Sequence, residues 1–130
     1  MRRLLSIAVL LFTAWSAFPA ARADESTKAF IVFFGSWSAL IDQSAQDAVR
    51  SAAAAANQGK GTVHVTGYAS TVGSADANKL LSQLRAQVVA DQLVADGVDA
   101  KRIALTGVGP TSFMADPLEA RRVKIEVGKD

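Results

Sequence analysis

Asn78 and Arg85 stand seven positions apart in a stretch that reads as helix. At about 100° per residue, seven steps return them to one flank of that helix. The flank lies near a sheet edge and in the helix's N-terminal half, a placement that suits a site better than a solvent face. Taken alone, Arg85 also reads as a solvated or structural ion-pairing arginine, and the spacing leaves the two readings open. The remaining candidates for chemistry fall away. The chain has no cysteine and one histidine, which excludes thiol nucleophiles, cysteine-metal sites and histidine-rich metal sites. His64 sits in an alternating run without an evident orienting acid, and Ser70 and Ser74 lie outside a nucleophile-elbow pattern. Asp42, Asp47 and Asp76 are explained by helix starts or solvated faces. The expectation is a protein that is not an enzyme, with no cofactor and no metal.

The elements that would position Asn78 and Arg85 can be read in order. Residues 29–34 (AFIVFF) are a continuous β-branched and aromatic run, the pattern of a buried strand. Trp37, Leu40 and Ile41 follow in a turn, where they are expected to cap the core. Asp42 is placed to cap a helix running to about Asn57, dominated by alanine. Alanine favours helix but offers little apolar area, so this helix must lie close to its neighbours. Thr62 to Thr66 alternates, with Val63 and Val65 on one face and His64 on the other. Residues 67–74 read as a small-residue loop, and Ser74 as the cap of the longest helix, Ala75 to Ala95. Its apolar stripe is read as Ala77, Leu81, Leu84, Val88 and Ala95, with Leu80 beside it. Gly97 ends it. A short strand is expected over Arg102–Gly107, then a loop over Val108–Leu118. A last alternating strand covers Arg121–Val127, with Val123, Ile125 and Val127 inward. The order predicts an α/β sandwich with the helices on one sheet face.

The opening of the chain has a different character. Arg2 and Arg3 precede an apolar run from Leu4 to Trp15, followed by Pro19 and by Ala21-Arg22-Ala23. This is the form of a secretion signal, residues 1–23, cleaved after Ala23. The run is shorter than the roughly twenty residues a membrane-spanning helix needs. Without that leader the charge changes from +2 to −1, with 11 basic residues against 12 acidic ones. A nucleic-acid partner then loses its support, since it requires clustered cationic charge. With no cysteine there is no disulfide framework and no attachment point for a lipid, and apolar packing must carry stability.

From the loop and long helix onward, the sequence resembles the C-terminal, peptidoglycan-associating domain of outer-membrane protein A, the OmpA-like family. The matching pieces are Phe30–Phe34, Val65-Thr66-Gly67-Tyr68-Ala69, Gly73-Ser74, Asn78, Leu81-Ser82, Arg85-Ala86 and Val88. Gly97-Val98, Arg102-Ile103, Gly107-Val108-Gly109 and Arg121-Arg122-Val123 continue in the same order. The resemblance covers about residues 29–127. It implies a two-layer βαβαββ sandwich with a four-stranded mixed sheet and helices on one face. It also implies non-covalent binding of the diaminopimelate of the peptidoglycan stem peptide, in the periplasm of a Gram-negative bacterium, at its outer membrane or cell wall. The family's carboxylate-reading arginine falls on Arg85 and its accompanying asparagine on Asn78. The loop whose backbone donors meet the ligand falls on Thr71, Val72 and Gly73.

The sequence departs from that pattern where the grip should be. The aspartate that holds the ligand's ammonium is replaced by Ser70. A hydroxyl accepts a hydrogen bond but neutralises no charge, and charged hydrogen bonds are worth about twice neutral ones. Gly35 and Ala120 replace an aspartate and an asparagine common in relatives. Two functions stay open on this basis. One is a peptidoglycan-binding module with a weakened site. The other is a structural or protein-interaction domain of the envelope whose ligand site has decayed.

Overall fold

The computed structural model describes residues 27–111 and 118–128. The secretion signal read over residues 1–23, and most of the loop expected before Leu118, lie outside them. The elements run β1 (Lys28–Phe33), α1 (Gln43–Ala56), β2 (Val63–Ala69), α2 (Ala75–Ala95), a 3₁₀ turn (Ala100–Arg102), β3 (Ile103–Pro110) and β4 (Arg122–Val127). The four strands form one mixed sheet in the order β1-β4-β2-β3. β2 and β3 are parallel, joined through α2, while β4 is antiparallel to both of its neighbours. This is the expected βαβαββ architecture.

The core lies between one sheet face and the two helices. Val32, Val63, Val65, Val123, Ile125 and Val127 supply the sheet side, as their alternation requires. Ala45, Val49, Ala52, Ala53 and Ala56 supply α1, and Ala86, Val89 and Leu93 supply α2. Asp42 caps α1 by accepting from the Ala45 N–H at 2.8 Å. The long helix opens on Ser74, which accepts from the Ala77 N–H at 3.3 Å, with Asp76 in its first turn facing the positive helix end. It closes in a Schellman motif. The Val98 N–H donates to Leu93 O and the Gly97 N–H to Val94 O, while Val98 and Leu93 join the same core. No helix among the described residues is long and apolar enough to cross a membrane.

Three expectations are corrected. β2 continues through Gly67, Tyr68 and Ala69, and β3 to Pro110, where small residues suggested loop. These strands pair in parallel across Gly67↔Gly107 and, past a register shift, Tyr68↔Gly109. Both glycines lie under α2. A Cβ on Gly67 would collide with the Ser82 carbonyl, and one on Gly107 with Gln83. The composition that looks like a loop is what allows a helix to lie this close to a strand. Second, α2 buries a different face from the leucine stripe. Leu80 and Leu84 are 66% and 52% exposed, Ala77 and Ala95 are exposed, and Asn78, Ser82, Arg85, Ala86, Val89, Ala90 and Leu93 point inward. Third, Trp37 and Leu40 do not cap the core. Both are exposed, and only Ile41 packs against it.

Candidate functional site

The residues brought together by α2 meet at the C-terminal end of β2. There the loop 70–74 leads into the helix, beside the turn after β1 and the start of β4. A cavity of about 140 Å³ opens at this point, comparable with one that holds a single benzene ring. Ser36 and Trp37 line it from the β1 turn, Ser70 and Val72 from the loop, Asn78, Leu81 and Arg85 from α2, and Arg121 from the approach to β4.

Arg85 is 1% exposed. Its Nε donates to Ser38 O at 2.8 Å, its Nη1 to Tyr68 O at 3.1 Å and its Nη2 to Gly35 O at 3.0 Å. The guanidinium carbon stands 5.4 Å from the centre of the Phe34 ring. Three backbone carbonyls from two segments thus fix the plane of the group. Two of its five N–H donors have no acceptor among the described residues, and none of its partners is a carboxylate. Arg121 is close by, donating from Nε to Phe34 O at 3.1 Å. Burial, and after it the charge of Arg121, pushes the Arg85 guanidinium down to about 10, so it is still cationic at neutral pH. Among the described residues no aspartate or glutamate lines the cavity. A buried charge without a counter-charge is costly, and an arriving anion would relieve that cost.

The loop is held from beneath by Asn78, which is also 1% exposed. Its Nδ2 donates to Val72 O at 2.8 Å and to Ser74 O at 3.0 Å. Both amide donors therefore serve the loop, and only the side-chain oxygen is left for anything else. Ser70 Oγ accepts from the Val72 N–H at 3.3 Å, which tightens the turn and occupies that backbone donor. Trp37 has left-handed backbone geometry (φ 53°) and is 57% exposed. Its indole lies over Gly73, where a Cβ would come within 2.9 Å of the ring. Of the six residues assigned from the sequence, Ser70, Val72, Asn78 and Arg85 line the cavity, while Thr71 and Gly73 lie on its rim loop.

The OmpA family's sequence model matches residues 33–124. The chain belongs to the OmpA family. Among curated proteins it is 43% identical over 72 residues to the probable lipoprotein YiaD of Escherichia coli, covering 51% of this chain and 33% of that one. It is 39% identical over 70 residues to outer membrane protein A of Klebsiella aerogenes, covering 51% and 20%. The match therefore spans a third or less of these relatives' length. Among solved structures, the OmpA-like domain of FopA1 from Francisella tularensis superposes with a TM-score of 0.69 at 27% identity, over 79% of this chain and 73% of that one. The cell wall anchor of the T6SS from Pseudomonas aeruginosa gives 0.64 at 29% identity, over 81% and 87%. The peptidoglycan-associated lipoprotein of Burkholderia pseudomallei shares the fold, with a TM-score of 0.68 at 19% identity over 75% and 88%.

Four lining residues of this OmpA-family domain were not singled out from the sequence as site residues. Ser36, Trp37 and Leu81 carry no polar spacing signal. Arg121 stands in the only dense cationic run left after the leader, where strand alternation accounted for it. His64 lies apart from the site on the open sheet face, in register with Glu126, whose carboxylate pairs with Lys124 at 2.7 Å.

Proposed function

We propose that residues 29–127 form a non-catalytic cell-envelope module that holds peptidoglycan without covalent chemistry. A carboxylate of the diaminopimelate in a stem peptide docks on Arg85 at the cavity floor. The observation that carries this is the buried Arg85 guanidinium, fixed in plane by three carbonyls, with two N–H donors unmatched among the described residues and Arg121 beside it. A guanidinium so held can receive a carboxylate through paired N–H donors. The N-terminus of α2 lies at the same end and adds to the positive potential. The resemblance to a cell wall anchor at 29% identity supports the same reading. We infer as part of the same reading that residues 1–23 act as a leader that delivers the domain to the periplasm.

Ser70 sets the strength. Its hydroxyl is neutral and already bonded to the Val72 N–H, so the carboxylate end of the ligand carries most of the affinity. The same observation favours the second reading, an envelope protein-interaction domain with a decayed site. Sedimentation with insoluble sacculi separates them. The protein is expected to pellet with the polymer. Arg121→Gln should lower the bound fraction several-fold with an unchanged circular dichroism spectrum, since among the described residues the Arg121 side chain makes one hydrogen bond to the frame. Wild-type protein left entirely in the supernatant would sink the proposal. In-cell cross-linking to a protein partner would then support the alternative.

A further inference from the structure

The cavity presents two guanidinium groups, Arg85 and Arg121, and among the described residues no carboxylate. Its other walls are apolar or neutral, with Trp37, Val72 and Leu81 surrounding the approach. An α-amino acid end carries its ammonium next to its carboxylate. Docking the carboxylate on Arg85 would bring the ammonium into a space whose fixed charges among the described residues are both positive, with only neutral acceptors such as Asn78 Oδ1 to offset its desolvation. Ser70 does not change this, because its hydroxyl, already accepting from the Val72 N–H, is neutral and supplies no counter-charge.

We infer that the site selects a carboxylate on an apolar stem and discriminates against a free ammonium beside that carboxylate. The preferred end of a stem peptide is then one whose amine is acylated, as in a cross-linked stem, rather than a free zwitterionic end. The cavity's size agrees, since about 140 Å³ takes a carboxylate and a short methylene stem but nothing as large as a sugar. The stem would lie along Trp37, with the carboxylate bridging Arg85 and Arg121. Selection of this kind works by leaving a competitor's charge unpaired rather than by adding a contact. The inference rests on the proposed use of this cavity as the ligand site.

The test compares pimelate with diaminopimelate, two diacids with the same seven-carbon chain that differ only in their amines. Each is titrated into the full-length protein and followed by amide chemical shifts and calorimetry. Pimelate is expected to bind about three- to tenfold more tightly, shifting the amides of residues 70–74, 78 and 85. Tighter binding of diaminopimelate would overturn the discrimination while leaving the carboxylate site intact. If neither diacid shifts those amides, both the inference and the proposed ligand site fail. A chemically acetylated sacculus is the polymer counterpart. Pelleting equal to or above that on untreated sacculi supports the inference, and loss of pelleting on acetylation alone overturns it.

Discussion

From Ala86 to Leu93 the buried face of α2 consists of Ala86, Val89, Ala90 and Leu93, whereas from Asn78 to Arg85 it consists of Asn78, Ser82 and Arg85. Both halves lie on the same sheet and both are closed to solvent. The C-terminal half is held by apolar packing, which is non-directional and indifferent to small shifts. The N-terminal half is held by named hydrogen bonds. Ser82 Oγ donates to Lys79 O and accepts from the Gly109 N–H, Asn78 ties the loop, and Arg85 ties Gly35, Ser38 and Tyr68. Directional bonds fix geometry at a cost in desolvation that aliphatic packing would not incur. The proposed binding role would use that fixed geometry, and the other half of the helix supplies the stability that makes it tolerable.

The sharpest test of this division is to damage each half and read both properties. Leu93→Ala removes a fully buried side chain from the apolar half. It should cost about 2–5 kcal/mol of stability, measured by urea unfolding, with pimelate affinity unchanged in the remaining folded protein. Arg85→Met keeps the bulk but withdraws three hydrogen bonds. The loss of stability should be smaller, about 1–3 kcal/mol, because carbonyls lose partners while an unpaired buried charge disappears. Ligand affinity should fall more than tenfold. A large affinity loss in Leu93→Ala, or none in Arg85→Met, would break the comparison.

The dependence on pH follows from the same arginine. Its folded value of about 10 lies below that of an ordinary guanidinium, so below pH 10 the fold carries the whole cost of the buried cation. That cost is relieved as pH rises above about 10, because the unfolded chain then binds the extra proton. Carboxylate affinity is expected to run the other way, flat from pH 6 to 9 and falling above about 10 as Arg85 loses its charge. Calorimetry at pH 7, 9 and 10.5 checks this. The smallest effect on stability is expected at the cavity wall. Trp37→Gly removes an exposed ring and a left-handed non-glycine residue, and should change stability by less than about 0.5 kcal/mol. Pimelate affinity should nonetheless drop a few-fold, as the apolar stem loses its wall.

Much of the frame was legible in the chain. The caps Asp42 and Ser74, the span of α2 and the inward trio Val123, Ile125 and Val127 all follow from local chemistry and period. The error on α2 has a plain cause. On α2 the leucines looked like the core stripe, yet Leu80 and Leu84 face outward while an arginine, an asparagine and a serine face inward. Hydrophobic period reports the core only where the core is apolar, and here the polar half of the helix reverses the signal. Spacing put Asn78 and Arg85 on one flank, but could not show that the flank is the centre of the buried face.

The sequence by itself determined where the helices form, where most of each strand runs and which pair of side chains could share a site, because propensity, capping and period act within a few residues. Tertiary structure alone decided that Gly67 and Gly107 let α2 sink onto the sheet, that Gly35, Ser38 and Tyr68 hold Arg85 in plane, and that Trp37 and Arg121 complete the cavity. Those contacts join residues 17 to 50 positions apart or lie between separate elements. Their energies depend on burial and on distance in space, which no local pattern encodes.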